Sequence, residues 1–315
     1  MTEHLHPRRV LIAGKLHTEF AAALAAARPD LELRARPLEH VGMSDLEWAD
    51  TYLGFRRPPL PTMGHVRWVH CTGAGVDAWL YPTALPADIL LTRTSEPFGP
   101  MIAEWALARA LAFTQDILPL AADQRAHQWR SREPRFIRGT TALVVGTGDV
   151  GTNVARVFSA LGCTVVGVSR TGRGDLAVFA EVHRVAKLGG IVGSADWLVL
   201  MLPLTAATHH LVGREILSAC NGAVLINAGR GAVVDESLIP EALERGWLRG
   251  AALDVFEAEP LPATSPLWDD PRVMISPHNS GPTTVEAAIR GFTGTLDEIE
   301  RGVRPTWIVD RVRQY

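Results

Sequence analysis

The chain has 315 residues, 47% of them hydrophobic and 21% charged, the composition of a soluble globular protein long enough for about two domains. A net charge of −3 excludes general polyanion binding, so neither nucleic acid nor a membrane surface is an expected partner. Three scattered cysteines (Cys71, Cys163, Cys220) without CxxC spacing exclude a disulfide framework and a zinc site, no metal is expected, and Val10–Ala13 is too short for a signal core or membrane span, so the expected location is cytoplasmic.

Strand-like and helix-like segments alternate from the start. Val10–Ala13 predicts a strand, Glu19–Ala27 a helix, Leu31–Ala35 a strand, Ser44–Ala49 a short helix and Thr51–Phe55 a strand. Val66–His70 and Ile89–Thr92 predict two further strands. That alternation predicts a parallel α/β sheet. Ser95–Pro100, with two prolines and a glycine, reads as a hinge, and Gly281–Pro282 as a second. Met101–Ile117 is a nearly unbroken apolar run, which predicts a helix buried between domains or subunits. Gln124–Gly139 is polar and carries Trp129.

The stretch Thr141–Gly162 carries the strongest local signal. A β-branched run, Thr141–Val145, enters Gly146, Thr147, Gly148, Asp149, Val150 and Gly151, and a helix pattern then leads to Gly162 and a second strand, Thr164–Val168. This is G-x-G-x-x-G between a strand and a helix, the context of a dinucleotide fingerprint. Gly146 suits the tight turn, Gly148 the close approach of a pyrophosphate, and Gly151 the packing of helix on strand. The helix start favours an anion. Asp149 adds negative charge there and is expected to point away from the pyrophosphate.

Downstream, strands are predicted at Trp197–Leu202, Gly222–Asn227, Gly250–Asp254 and Val273–Ser276, with helices at Gly213–Ala219, Asp235–Arg245 and, capped by Thr283 or Thr284, Thr283–Arg301. Five or six parallel strands with crossover helices make a doubly wound sheet, and ligands bind beyond the carboxyl ends of such strands. Arg230 and His278 follow strand ends, Asp254 ends a strand, and Glu259 lies in the loop after it. Arg230 can grip a carboxylate and polarise the neighbouring carbonyl. His278 can donate a proton as hydride reaches the carbon. Glu259 can hold the imidazole in its charged form. This set suits hydride transfer to a 2-oxo acid.

At these residues the chain resembles the D-isomer-specific 2-hydroxyacid dehydrogenases. Leu202, Pro203, Leu204, Thr205 and Thr208, the segment Ile226–Val234 (INAGRGAVV), Leu253–Pro260 (LDVFEAEP) and Ser276–Gly281 (SPHNSG) match the family's motifs in order. The resemblance is strong over residues 95–285 and weaker before, where Gly73–Asp77 carries it. It implies two doubly wound parallel-sheet domains: a flavodoxin-like substrate domain, 1–97 with 284–315 returning to it, and a Rossmann cofactor domain inserted at 98–283. It implies Arg230, Glu259 and His278 as the catalytic set, with backbone N–H groups of Ala74 and Gly75, together with Arg230, on the substrate carboxylate. Cofactor contacts are expected from Gly146–Gly151, Leu202, Pro203, Thr208, Ala228, Arg230, Asp254 (toward the carboxamide) and His278. A homodimer is implied. Trp129 falls where some hydroxypyruvate reductases insert a Trp into the partner's active site, and interface packing is the other reading.

The chain departs from the family in one informative place. Val165–Val168 leads to Ser169, Arg170 and Thr171, with Arg173 nearby, where an acidic residue would take the ribose 2′-OH of NAD. Hydroxyls and guanidinium groups suit a 2′-phosphate, so NADP(H) is expected over NAD(H). The expected function is an NADPH-dependent reductase of a small 2-oxo acid such as glyoxylate or hydroxypyruvate. The competing reading is a dinucleotide-sensing corepressor of the same fold. The loop Tyr52–Pro61 and the turn Thr72–Val76 are expected to shape the substrate pocket.

Overall fold

The structure is a computed structural model that describes residues 5–81, 83–94 and 98–314. In chain order the elements begin β1 (Arg9–Ala13), α1 (His17–Ala27), β2 (Glu32–Arg36), α2 (Met43–Trp48), β3 (Thr51–Gly54), β4 (Trp68–Cys71), α3 (Asp77–Leu80) and β5 (Leu90–Arg93). They continue with α4 (Phe98–Thr114), α5 (Ile117–Arg125), β6 (Thr141–Val145), α6 (Asp149–Ala160), β7 (Thr164–Ser169), β8 (Glu181–Arg184), α7 (Leu188–Ile191) and β9 (Trp197–Leu200). The last are α8 (Arg214–Ala219), β10 (Ala223–Asn227), α9 (Ile239–Glu244), β11 (Leu248–Leu253), β12 (Val273–Ile275) and α10 (Val285–Glu300). Contacts divide the chain into two compact units, Met1–Glu96 with Thr283–Tyr315, and Pro97–Pro282. No helix among the described residues is long and apolar enough to cross a membrane.

In the first unit five parallel strands lie in the order β2-β1-β3-β4-β5, the doubly wound order of flavodoxin-like sheets. β3 and β4 are buried along their whole length, as strands covered on both faces must be. Thr284 caps α10, its Oγ1 accepting from the Ala287 N–H at 3.1 Å. The buried side of α10 (Ala288, Ile289, Phe292, Leu296, Ile299) packs with Leu24, Leu53 and Trp68, which returns the C-terminal segment to this unit.

A polar network sits inside that apolar layer. His70 is fully buried, with Nδ1 2.8 Å from Thr92 Oγ1 and Nε2 3.1 Å from Thr94 Oγ1, and Trp68 stacks on Phe292 beside it. Burial pushes the His70 imidazole down from 6.5 to about 3. The folded state therefore keeps His70 neutral where the unfolded chain takes up a proton. Its contribution to stability is whole above pH 6.5 and is lost as pH falls toward 3, with a slope approaching about 1.4 kcal/mol per pH unit. His70→Gln should remove that slope. Urea unfolding of this unit at pH 7 and pH 4.5 checks it, and equal pH dependence in the two proteins would discard His70 as the source.

In the second unit seven parallel strands lie in the order β12-β11-β10-β9-β6-β7-β8. The chain runs outward from β6 to β8, then returns to β9 beside β6 and runs outward to β12. The order reverses between β6 and β9, where the crevice of such a sheet opens. Sequence patterning predicts five or six strands and misses β8, whose residues Glu181–Arg184 lie at the sheet edge with no buried side chain. The apolar helix also differs from its expected bounds. It is α4, Phe98–Thr114, and a second helix, α5, follows a break at Asp116 (φ +49). Pro119 accounts for the break, because a continuous helix would need its missing N–H to reach the carbonyl of Gln115. The expected hinge at Ser95–Pro100 falls partly outside the described residues, and Phe98–Pro100 form the first turn of α4. The three thiols are buried, and burial pushes the Cys163 thiol up and the Cys220 thiol up to about 11.

Candidate active site

The turn between β6 and α6 is built as its glycines demand. Gly146 has φ +110, and a β-carbon there would stand 2.4 Å from the Met201 carbonyl oxygen. At Gly151 a β-carbon would stand 1.8 Å from the Gly146 oxygen, so only glycine lets α6 pack this closely on β6. At Gly148 nothing lies within 4 Å of the added carbon, so the space above the turn is open. The backbone N–H groups of Thr147, Gly148, Asp149, Val150 and Gly151 have no hydrogen-bond partner among the described residues. Unmet donors at a helix start with open space above them fit a pyrophosphate. Asp149 is exposed, and Asn153 Nδ2 donates to its carboxylate at 3.2 Å, with the other oxygen beside Gly99 of α4.

At the end of β7 the Ser169 hydroxyl closes its own turn, donating to the Arg173 carbonyl at 3.0 Å and accepting from the Arg173 N–H at 3.1 Å. Thr147 Oγ1 donates to the same carbonyl at 2.7 Å, which ties this turn to the glycine turn. Arg170, Thr171 and Arg173 are exposed there, and neither arginine side chain is engaged in an ion pair among the described residues. After β9, Leu202 lies against Gly146, while the Thr208 hydroxyl donates to the Pro203 carbonyl at 2.7 Å and accepts from the Thr205 N–H at 2.8 Å. Thr208 thus holds the Leu202–Thr208 loop in shape.

The arginine, glutamate and histidine segments end successive strands of the same sheet. Beyond β10, buried Asn227 accepts from the Gly229 N–H at 3.1 Å and donates to the Arg230 carbonyl at 3.1 Å, fixing the Ala228–Arg230 turn. Gly231 lies so close to Phe256 that a β-carbon would stand 1.9 Å from its carbonyl carbon. The loops after β10 and β11 are therefore in backbone contact. They are also joined by reciprocal bonds, Glu236 N–H to Glu257 Oε1 at 3.2 Å and Glu257 N–H to Glu236 Oε2 at 3.1 Å. His210 Nε2 reaches Glu257 Oε1 at 2.8 Å, and the ligand atoms of His210, Asp235 and Glu257 lie within 4.8 Å of one another. The sequence reading expects no metal and does not see this grouping.

Glu259 Oε2 lies 2.8 Å from His278 Nδ1, and its other oxygen accepts from the Phe256 N–H at 3.2 Å. A carboxylate only accepts, so Nδ1 carries the proton and Nε2 is the nitrogen turned to other chemistry. His278 adopts φ +53, and its N–H donates to the Asp254 carbonyl at 2.8 Å. Asp254 has 0% exposure, and its carboxylate accepts from Ser276 Oγ at 2.6 Å, the Asn279 N–H at 3.0 Å and the Ser280 N–H at 2.9 Å. Through these bonds Asp254 shapes the histidine loop.

In the other unit the N–H groups of Ala74 and Gly75 make no hydrogen bond among the described residues, while Arg93 donates to the Ala74 carbonyl at 3.3 Å. Tyr52 belongs to the core. It is fully buried, and its hydroxyl donates to the Arg56 carbonyl at 3.0 Å.

A histidine–carboxylate pair, an arginine and a dinucleotide turn on one parallel sheet are the parts of a hydride-transfer enzyme. The family model of the D-isomer specific 2-hydroxyacid dehydrogenase, NAD binding domain, matches residues 107–280. The chain belongs to the D-isomer specific 2-hydroxyacid dehydrogenase family. Glyoxylate/hydroxypyruvate reductase A of Serratia proteamaculans is 31% identical over 94% of this chain and 96% of its own length. A D-isomer specific 2-hydroxyacid dehydrogenase from Xanthobacter autotrophicus, solved with NADPH and MES, superposes with a TM-score of 0.86 at 32% identity, covering 98% of this chain and 100% of its own. An NADPH-dependent glyoxylate/hydroxypyruvate reductase from Sinorhizobium meliloti, solved with NADP and sulfate, has a TM-score of 0.86 at 29% identity with the same coverage.

Sequence reasoning misses Asn227, Ser276 and Gly231 in this dehydrogenase. The first two carry a usable signal, since each is a polar residue closing an apolar strand run on the carboxyl edge of the sheet. Gly231 carries none, because its neighbour is set by sheet order.

Proposed function

We propose that this dehydrogenase reduces a small 2-oxo acid, glyoxylate or hydroxypyruvate, to the D-2-hydroxy acid with NADPH. The His278–Glu259 pair at 2.8 Å is the observation that carries the reading, because a cofactor-sensing protein has no need of an oriented proton donor. Thr147–Gly151 would hold the pyrophosphate, and Arg170 and Arg173 the 2′-phosphate. The bound dinucleotide supplies the hydride. Arg230 grips the substrate carboxylate and polarises its carbonyl. His278 Nε2 gives the proton to the carbonyl oxygen, while Glu259 keeps the imidazole oriented and balances its charge.

A homodimer is part of the proposal. Leu111, Ile117, Leu118 and Leu120 on α4 and α5, with Phe136 (76%) and Trp129 (102%), are exposed apolar side chains within one stretch of chain. Such a patch is what a partner subunit covers, and a monomer mass by light scattering would remove this part of the proposal. Initial rates with a panel of 2-oxo acids and both cofactors test the activity. The expected kcat/KM is at least about tenfold higher with NADPH than with NADH, the size of effect one or two charged contacts to a phosphate produce. A tenfold preference for NADH would overturn the cofactor assignment, and no turnover with any 2-oxo acid would overturn the function.

A further inference from the structure

We infer that Trp105 of α4 and Ser276 after β12 are a positioning pair that sets the geometry of His278 without touching substrate or cofactor. The inference rests on the assignment of His278 as proton donor. Three residues form a buried chain of fixed polarity. Trp105 is 8% exposed, Ser276 5% and Asp254 0%. The indole N–H only donates, and it reaches Ser276 Oγ at 3.1 Å. The Asp254 carboxylate only accepts, so the single Ser276 proton must point at it, across 2.6 Å. Asp254 then spends its remaining acceptor capacity on the Asn279 and Ser280 N–H groups, and its own carbonyl on the His278 N–H. Three successive N–H groups of the histidine loop therefore hang from Asp254.

His278 needs that hold. Its φ of +53 is a conformation that a residue with a β-carbon keeps only when its surroundings dictate it. The Asp254 charge makes no ion pair within 4.0 Å among the described residues, so its orientation depends on its hydrogen-bond donors. The Arg109 guanidinium, stacked over Trp105 at 4.6 Å, is half-buried, and Asp254's charge acts on it. Without the Ser276 hydroxyl, Asp254 keeps two donors, the indole N–H is left buried with no acceptor, and both can move. The same α4 lies against the dinucleotide turn, with Gly99 packed on Asn153 of α6. One helix thus braces both the turn at Gly146–Gly151 and the loop at His278.

The test compares wild type with Ser276→Ala, Ser276→Thr and Trp105→Phe, with His278→Gln as the spectral reference. The first readout needs no turnover. It is the downfield proton resonance of the His278 Nδ1–H bonded to Glu259, assigned by its loss in His278→Gln. The second is the split of kcat and KM with NADPH and the preferred 2-oxo acid. Ser276→Ala should broaden or lose the resonance and lower kcat about tenfold, the cost of a misplaced catalytic group, with the KM for NADPH within about twofold. Ser276→Thr, which keeps the hydroxyl, should restore both, and Trp105→Phe should move both in the direction of Ser276→Ala. Retention of resonance and kcat in Ser276→Ala, absence of the resonance in wild type, or a folded Ser276→Thr that restores neither would overturn the pair. If wild type reduces no 2-oxo acid, the proposed function fails on its own, and the resonance still decides the positioning.

Discussion

Replacing His278 by Gln should lower kcat for 2-oxo acid reduction by roughly a thousandfold, within the 10²–10⁴ range of a lost general acid, and leave dinucleotide affinity within about twofold. Glutamine is close to the imidazole in size and keeps a hydrogen-bonding group near Glu259, but it cannot release a proton to an alkoxide. The backbone should tolerate the change, because the loop is held through main-chain N–H groups on Asp254 rather than through the imidazole. Cofactor affinity should persist because the turn at Thr147–Gly151 belongs to a different strand end, where no His278 contact is involved. Stopped-flow reduction and fluorescence titration with NADPH measure the two quantities. Turnover within tenfold of wild type would end the assignment of His278 as the acid, and a matching collapse of NADPH affinity would mean that the loop, not the proton, was lost.

Arg230→Lys is the second large effect. A lysine keeps the charge but loses the planar fork that meets both carboxylate oxygens. Removing one charged hydrogen bond costs about 1.5–3 kcal/mol, so kcat/KM should fall roughly 10- to 150-fold for Lys and further for Ala. The backbone of Arg230 is set by Asn227 and by the contact of Gly231 with Phe256, and the side chain adds one bond of its own to the turn, Nη1 to the Gly229 carbonyl at 2.8 Å. The loss should appear with both cofactors alike, since it belongs to the carboxylate. An Arg230→Lys enzyme with unchanged kcat/KM for every 2-oxo acid tested would assign carboxylate recognition elsewhere, and Ala74 and Gly75 would be the next residues to examine.

How much of this was readable in the residues differs by feature. The turn at Gly146–Gly151 was legible because its demands are local: one positive φ and two close backbone approaches leave no choice but glycine. Arg230, Glu259 and His278 were legible because a parallel sheet puts the carboxyl ends of its strands on one edge, so polar residues after apolar runs gather there. The NADP expectation is half local. The missing acidic residue after β7 is plain in the sequence, but the Ser169 hydroxyl closes its own turn, and that depends on Gly172 bending the chain back at φ +70. β8 was invisible because hydrophobic periodicity reports burial, and an exposed edge strand buries nothing.

What the sequence alone determined is therefore the fold class and the glycine turn after β6, with Arg230, Glu259 and His278 as candidates in the loops beyond β10, β11 and β12, because apolar runs and the residues that close them are local features. What only the tertiary structure decided is which groups hold those residues in place. Trp105 and Ser276 are 171 positions apart, and Gly231 meets Phe256 through the pairing of β10 with β11. Contacts of that kind are set by the order β12-β11-β10-β9-β6, and strand order is a property of how the whole sheet buries its two faces, which no single segment specifies.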